Sequence, residues 1–179
     1  MKDWKEAKLD LRGKVAQVAL ENASLVGISD KQKTILVLQG VVTKAAAQSM
    51  THRLESRIFA KQGFTKLAEK YAAHAAEEAE SVELFADRIL NLGGEVKQQA
   101  QMPIELCKDI EDFLKADLKE SEEGLAQLAG VMKAGFLDVT SYELMKDYIL
   151  DEEEDMYWTQ SQLDMIKAIG KQNYLFHQI

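Results

Sequence analysis

What this chain has little of narrows its class before any motif is read. It holds a single proline, Pro103, and ten glycines in 179 residues, so few positions force the backbone to break. A single cysteine, Cys107, excludes an internal disulfide and reads as a small side chain packed on a helix, compatible with a reducing compartment. No apolar run approaches the roughly 20 residues of a membrane span. Positive charge is not in excess either: the net charge is -8, which argues against nucleic-acid phosphates as partners and suits cations better. The opening MKDWKEAKLDLRGK mixes both charges and lacks the apolar centre of a signal peptide, so the expectation is a cytoplasmic protein. P-loop, G-x-G-x-x-G and Ser-His-Asp patterns are missing too, which leaves no basis for a nucleotide enzyme or a hydrolase.

What is present is helix. Ala, Leu, Glu, Lys and Gln dominate a chain that is 46% hydrophobic and 29% charged, enough for one all-α domain with a substantial core. Residues 3–24 carry an amphipathic pattern with Trp4, Leu11, Val15 and Val18 on one side, and Gly27-Ile28-Ser29-Asp30 ends it and caps the next helix. Four long helices are predicted, from about Asp30 to Lys61, Thr65 to Leu92, Ile104 to Lys133 and Thr140 to Ile169, with a short tail helix in KQNYLFHQI. Gln62-Gly63, a left-handed cap at Gly93-Gly94, and Gly170 punctuate them. Each long helix, at about 30 residues, is about 45 Å long. The polar stretch EVKQQAQMP is long enough to cross the length of a bundle, so two helix pairs joined by one crossover are expected, as in ferritin-like bundles. The division follows: a helical extension over residues 1–29 and a four-helix bundle domain over 30–179.

Two glutamates stand where helices bury apolar side chains. The stripe Leu67, Tyr71, His74, Glu78, Ser81, Phe85, Ile89 puts Glu78 on the apolar face, and Met145, Ile149, Glu152, Met156, Thr159, Leu163, Ile166 does the same for Glu152. An unpaired carboxylate in a core costs several kcal/mol or gives up its charge, so the pair calls for one shared reason. A metal ion between helices is one; a shared proton, or pairing with the hydroxyls of Ser49 and Ser81, is another. His52, His74 and His177 are dispersed and read as surface or packing residues, although His74 lies one turn before Glu78. Trp4, Trp158 and Tyr157 read as packing anchors.

The segments GFTKLAEKYAAHAAEEAESVELFADRILNLGGEVK, DIEDFLKADLKESEEGLAQL and DEEEDMYWTQSQLDMIKAIGKQNYLFHQI resemble bacterioferritins, and the resemblance covers roughly residues 31–179. It implies a di-iron site on which Glu78 and Glu152 match the two bridging glutamates. The histidine that should follow each by three residues is Ser81 on one helix and Asp155 on the other, and the two terminal glutamates fall at Ala45 and Ser121. The metal ligands expected from this are Glu78, Glu152 and Asp155, for iron or another divalent metal, with ferroxidase activity weak or lost. Haem is not expected, because the position of its methionine ligand is Ala79. The resemblance therefore implies a bacterioferritin-like iron-binding and iron-storage protein with a degenerate ferroxidase centre, in a homo-oligomer that is a dimer or a cage. The alternatives are a non-storage metal-binding protein and a purely structural or interaction protein on the same bundle. Neither nucleic acid nor membrane is an expected partner, and residues 1–28 are either a docking segment for a partner protein or an accessory helix packed on the subunit itself.

Overall fold

A computed structural model describes residues 27–99 and 106–179. The helix expected over residues 3–24, with Trp4 and the N-terminal docking segment, lies outside the described residues, as does Pro103. Four long helices form: α1 (Asp30–Gln62), α2 (Thr65–Asn91), α3 (Ile110–Lys133) and α4 (Val139–Ile169), followed by a short α5 (Lys171–Phe176). No strand occurs among the described residues. α1 packs on α2 and α3 packs on α4, which is the expected pairing into two hairpins.

The ends of the helices follow from local chemistry. Ser29 and Gln32 form a capping box, in which the Ser29 hydroxyl accepts from the Gln32 N–H and the Gln32 side chain accepts from the Ser29 N–H at 3.0 Å. α1 stops at Gly63, whose φ of 90° is left-handed. After α2 the Gly94 N–H reaches the Ile89 carbonyl and the Gly93 N–H the Leu90 carbonyl, a Schellman turn that needs the positive φ of Gly93. The third helix begins at Ile110 rather than near Ile104 as expected from the sequence. The reason is Asp109, whose carboxylate accepts from the N–H groups of Glu111 and Asp112 and so fixes the first turn six residues later.

The crossover is tied to α1 on both sides of residues 100–105. Near its start, Gln39 and Lys97 exchange two hydrogen bonds of 2.8 Å through the Gln39 side chain. Near its end, the Cys107 N–H donates to Glu55 Oε1 at 2.9 Å and the Gln62 side chain donates to the Lys108 carbonyl. These anchors span α1 from Gln39 to Gln62, about 35 Å at the helical rise, so the connection runs the length of the bundle. The tail helix docks through Tyr174, which is fully buried and donates its hydroxyl proton to Gln162. Trp158 packs against the rings of Tyr71 and His74, as an anchor should. Tyr157 does not: it is 64% exposed, because it sits one residue, about 100°, away from the buried face.

The apolar core is in two pieces. One holds Val37, Leu38, Val41, Val42, Phe85, Ile89, Val131, Met145 and Tyr148. The other holds Phe59, Leu67, Tyr71, Phe113, Leu114, Ile166 and Tyr174. On every long helix buried or half-buried polar side chains stand between the two pieces, so a polar band crosses the middle of the bundle.

Glu55, at the edge of this band, gives a test. It is 1% exposed and its Oε2 has no hydrogen-bond partner. Burial raises its carboxyl from 4.5 to about 7, against the pull of the Cys107 N–H and of His52. A carboxyl raised on folding contributes stability that is full below the unfolded value and is lost as pH rises through the folded one. Between about pH 5 and pH 8 the wild-type chain should lose about 2–3 kcal/mol that Glu55→Gln keeps. Urea midpoints of both proteins at the two pH values check this.

Candidate metal centre

The polar band is built where stripe positions of four helices face one another. α1 contributes Ala45, Gln48, Ser49, His52 and Ser56, and α2 contributes His74 and Glu78, all buried. α3 contributes Asp117, the buried Ser121 and Gly124, and α4 contributes Glu152, Asp155 and the buried Thr159.

Glu78 is buried to 7% exposure, whereas Glu152 is only half-buried. Burial pushes both carboxyls up, and each is pulled back by a neighbouring cation. For Glu152 that cation is the Lys44 ammonium, aided by the Tyr148 hydroxyl. Lys44 reaches in over Gly124, where its Nζ occupies the space that any Cβ at position 124 would claim. The Ser49 hydroxyl considered as a partner for Glu78 donates instead to the Ala75 carbonyl at 2.6 Å.

For Glu78 the cation is His52. The ring lies between two carboxylates, with Nε2 3.1 Å from Asp117 Oδ1 and Nδ1 3.1 Å from Glu78 Oε1. The contact to Asp117 is an aligned hydrogen bond; that to Glu78 is at ion-pair distance without hydrogen-bond alignment. Burial disfavours the imidazolium, but the Asp117 and Glu78 carboxylates outweigh it and raise His52 from 6.5 to about 10. The imidazole is therefore charged at neutral pH. Asp117 is completed by the Tyr71 hydroxyl at 3.0 Å and the Thr159 hydroxyl at 3.3 Å, both on its Oδ2.

Asp155 belongs to a neighbouring group at the edge of the band. Its Oδ1 is 2.9 Å from His74 Nε2 and 3.1 Å from Lys70 Nζ. Burial alone would raise its carboxyl, but His74 and Lys70 hold it below the usual carboxylate value. Among the described residues, His74, Glu77 and Asp155 form a group of metal-ligand type whose donor atoms all lie within 4.8 Å of one another. Of the three ligands expected from the sequence, Asp155 is in that group. Glu78 and Glu152 face the band with His52 and Lys44 beside them.

The family described as a ferritin-like domain matches residues 42–169. The chain belongs to the ferritin-like family. It is 34% identical over 133 residues to a bacterial ferritin of Neisseria meningitidis serogroup A, covering 70% of this chain and 83% of that protein. A bacterial ferritin of Pseudomonas aeruginosa is 31% identical over 145 residues, covering 79% of this chain and 94% of its own length. A bacterioferritin of Streptomyces coelicolor is 29% identical over 125 residues, 68% of this chain and 74% of that protein. The fold is the one the sequence implied, an all-α ferritin-like bundle with one long crossover. No helix among the described residues is long and apolar enough to cross a membrane.

Three participants escaped the sequence reading of this ferritin-like chain: His52, Asp117 and Lys44. His52 stands on the stripe Ala45, Ser49, His52, Ser56, Phe59, and Asp117 on Ile110, Phe113, Asp117, Ser121, Gly124. The same helical spacing that singled out Glu78 marks both. Lys44 has no such signal, since it lies beside the stripe and reaches the band only through the length of its side chain.

His52 is the test of the band. Its raised value means that its stabilisation is full below about 6.5 and is lost as pH rises through about 10. His52→Gln leaves Glu78 and Asp117 buried without that charge, and removal of one partner of a buried pair costs about 3–5 kcal/mol. The loss should be seen in denaturation near neutral pH, and the variant should lack the wild-type decline in stability above neutrality.

Proposed function

We propose that this ferritin-like chain is an iron-binding and iron-storage subunit of a bacterioferritin-like homo-oligomer, and that its own ferroxidase centre is degenerate. Kinship with proteins named bacterial ferritin and bacterioferritin supports storage. The observation that carries the second half is the pair of tethered cations, His52 beside Glu78 and Lys44 beside Glu152. At the six positions that the resemblance assigns to iron stand Ala45, Glu78, Ser81, Ser121, Glu152 and Asp155, of which three are carboxylates. Two redox-active ions with open positions for oxygen need a fuller set of donors than this. A lysine and an imidazolium in the same band further oppose a divalent ion by like-charge repulsion. These residues do not fit a resident pair of irons.

Iron is cargo in this reading. Glu78, Glu152 and Asp155 are the carboxylates at which it is met in the bundle, at the first two in competition with His52 and Lys44, and oxidation is slow or is carried out elsewhere. Exposed apolar residues on α1 and α2, among them Leu36, Met50, Leu54 and Leu84, are consistent with packing against further copies.

Aerobic addition of Fe(II) to the purified chain, followed by sizing and metal analysis of the same fractions, tests the reading. Iron in large excess over chains in a particle larger than a dimer is expected, with no fast oxidation phase above the protein-free control. One iron or none per chain in a small oligomer would reject storage, and a fast phase would reject the degenerate centre. Replacing Glu78 and Glu152 together by glutamine should lower bound iron while leaving the helical melting transition cooperative. Unchanged iron content in that variant would remove both residues from the assignment.

A further inference from the structure

The group at the edge of the band holds two side chains, His74 and Glu77, that the iron reading does not use. His74 and Glu77 are one turn apart on α2, and Asp155 faces them from α4, with all three donor atoms within 4.8 Å of one another. Donor atoms around a single first-row ion stand about 3–3.5 Å apart, so His74 and Asp155, at 2.9 Å, are already close enough to share one, and a side-chain adjustment brings Glu77 to it. Glu77 is exposed and free to make that adjustment.

The His74 ring is the informative member. Its side chain is 3% exposed, and Nε2 has no aligned hydrogen-bond partner although it points at Asp155. A buried nitrogen left without an aligned hydrogen bond is a cost that a bond to a metal ion would relieve. The ring is also held in place, packed edge-on against Tyr71, His52 and Trp158. A ligand oriented by packing rather than by freely rotating bonds loses little entropy on binding. Lys70 now supplies the positive charge at Asp155, with its ammonium over the Trp158 ring, and its side chain is 32% exposed, so it can swing into solvent.

We propose that His74 Nε2, Glu77 and Asp155 bind one divalent first-row transition-metal ion, such as Zn(II) or Fe(II), which displaces the Lys70 ammonium. One imidazole and two carboxylates select such an ion over calcium or magnesium, and three protein ligands leave a coordination position for water. The proposal shares Asp155 with the iron reading but does not rest on it, since it needs neither storage nor an assembly.

Co(II) is the probe, added anaerobically to the full chain freed of metal, with visible d–d absorption and calorimetry as readouts. One Co(II) per chain is expected. His74→Gln, which keeps most of the ring's packing volume, should weaken binding by roughly tenfold or more, and Asp155→Asn should do the same. Lys70→Gln should tighten it, because the competing charge is gone. Absence of Co(II) binding overturns the proposal, as does undiminished binding by His74→Gln. Loss of Co(II) in Glu78→Gln/Glu152→Gln with retention in His74→Gln would put the ion on the central carboxylates and also overturn it. Should His74→Gln fail to fold, the Lys70→Gln result decides: tighter binding supports the site, and unchanged binding overturns it. Iron loading of the same variants separates this outcome from the fate of the storage reading.

Discussion

The His52 ring, clamped between Glu78 of α2 and Asp117 of α3, is the contact on which the middle of the bundle depends. It ties three helices together through one charged side chain. Around it the other polar groups fall into place: Tyr71 and Thr159 complete Asp117, and Lys44 answers Glu152 from the far side. A carboxylate stripped of water in such a place costs several kcal/mol unless a cation stands beside it. The chain carries its cations on its own side chains, and Gly124 is part of the arrangement, since any larger residue would take the space of the Lys44 ammonium.

The split core follows from the same constraint. The two apolar clusters at the ends of the bundle supply the burial that favours folding, but a cluster of Leu, Val and Phe tolerates small slips of one helix along another. The polar band does not. Sliding α2 by one turn, about 5.4 Å, would carry Glu78 away from His52 and leave the Glu78 carboxylate buried without its cation. The crossover anchors at Gln39, Glu55 and Gln62 add a second register, because each meets its partner on one backbone position only. The apolar ends and the polar middle thus divide the work between stability and alignment.

Most of the fold was legible because the signals are local. Ser29 and Gln32, Gly63, Gly93-Gly94 and Gly170 each end or begin a helix by chemistry confined to a few residues. The start of α3 was misplaced because apolar Ile104 and Leu106 resemble a helical turn, and only the capping geometry of Asp109 decides against them. The band was half legible. Glu78 stood out because a charge on an apolar stripe is conspicuous, while His52 was passed over because a histidine there is unremarkable by itself. That Asp117 would meet His52 is a fact of how α1 and α3 face each other, and no spacing along one helix contains it. Tyr157 shows the reverse error, in which residue type suggested burial and a rotation of one position overruled it.

The opposed fates of Glu152 and Asp155 follow from which cation each has beside it. Lys44 reaches Glu152 over Gly124 and is half-buried, so an incoming ion must expel an ammonium packed against the neighbouring helix. Lys70 reaches Asp155 from the surface, and its departure returns the ammonium to solvent at small cost. A tethered charge competes at an effective concentration near millimolar, and only a ligand set that gains more than this displaces it. At the centre, an ion would gain two carboxylates and lose two built-in cations, His52 and Lys44. At the edge, it would gain an oriented imidazole that lacks an aligned hydrogen bond and two carboxylates, and would displace one half-buried lysine. The balance of charge and access therefore favours an ion at the edge of the band over one at its centre, even though the centre holds the more deeply buried carboxylate.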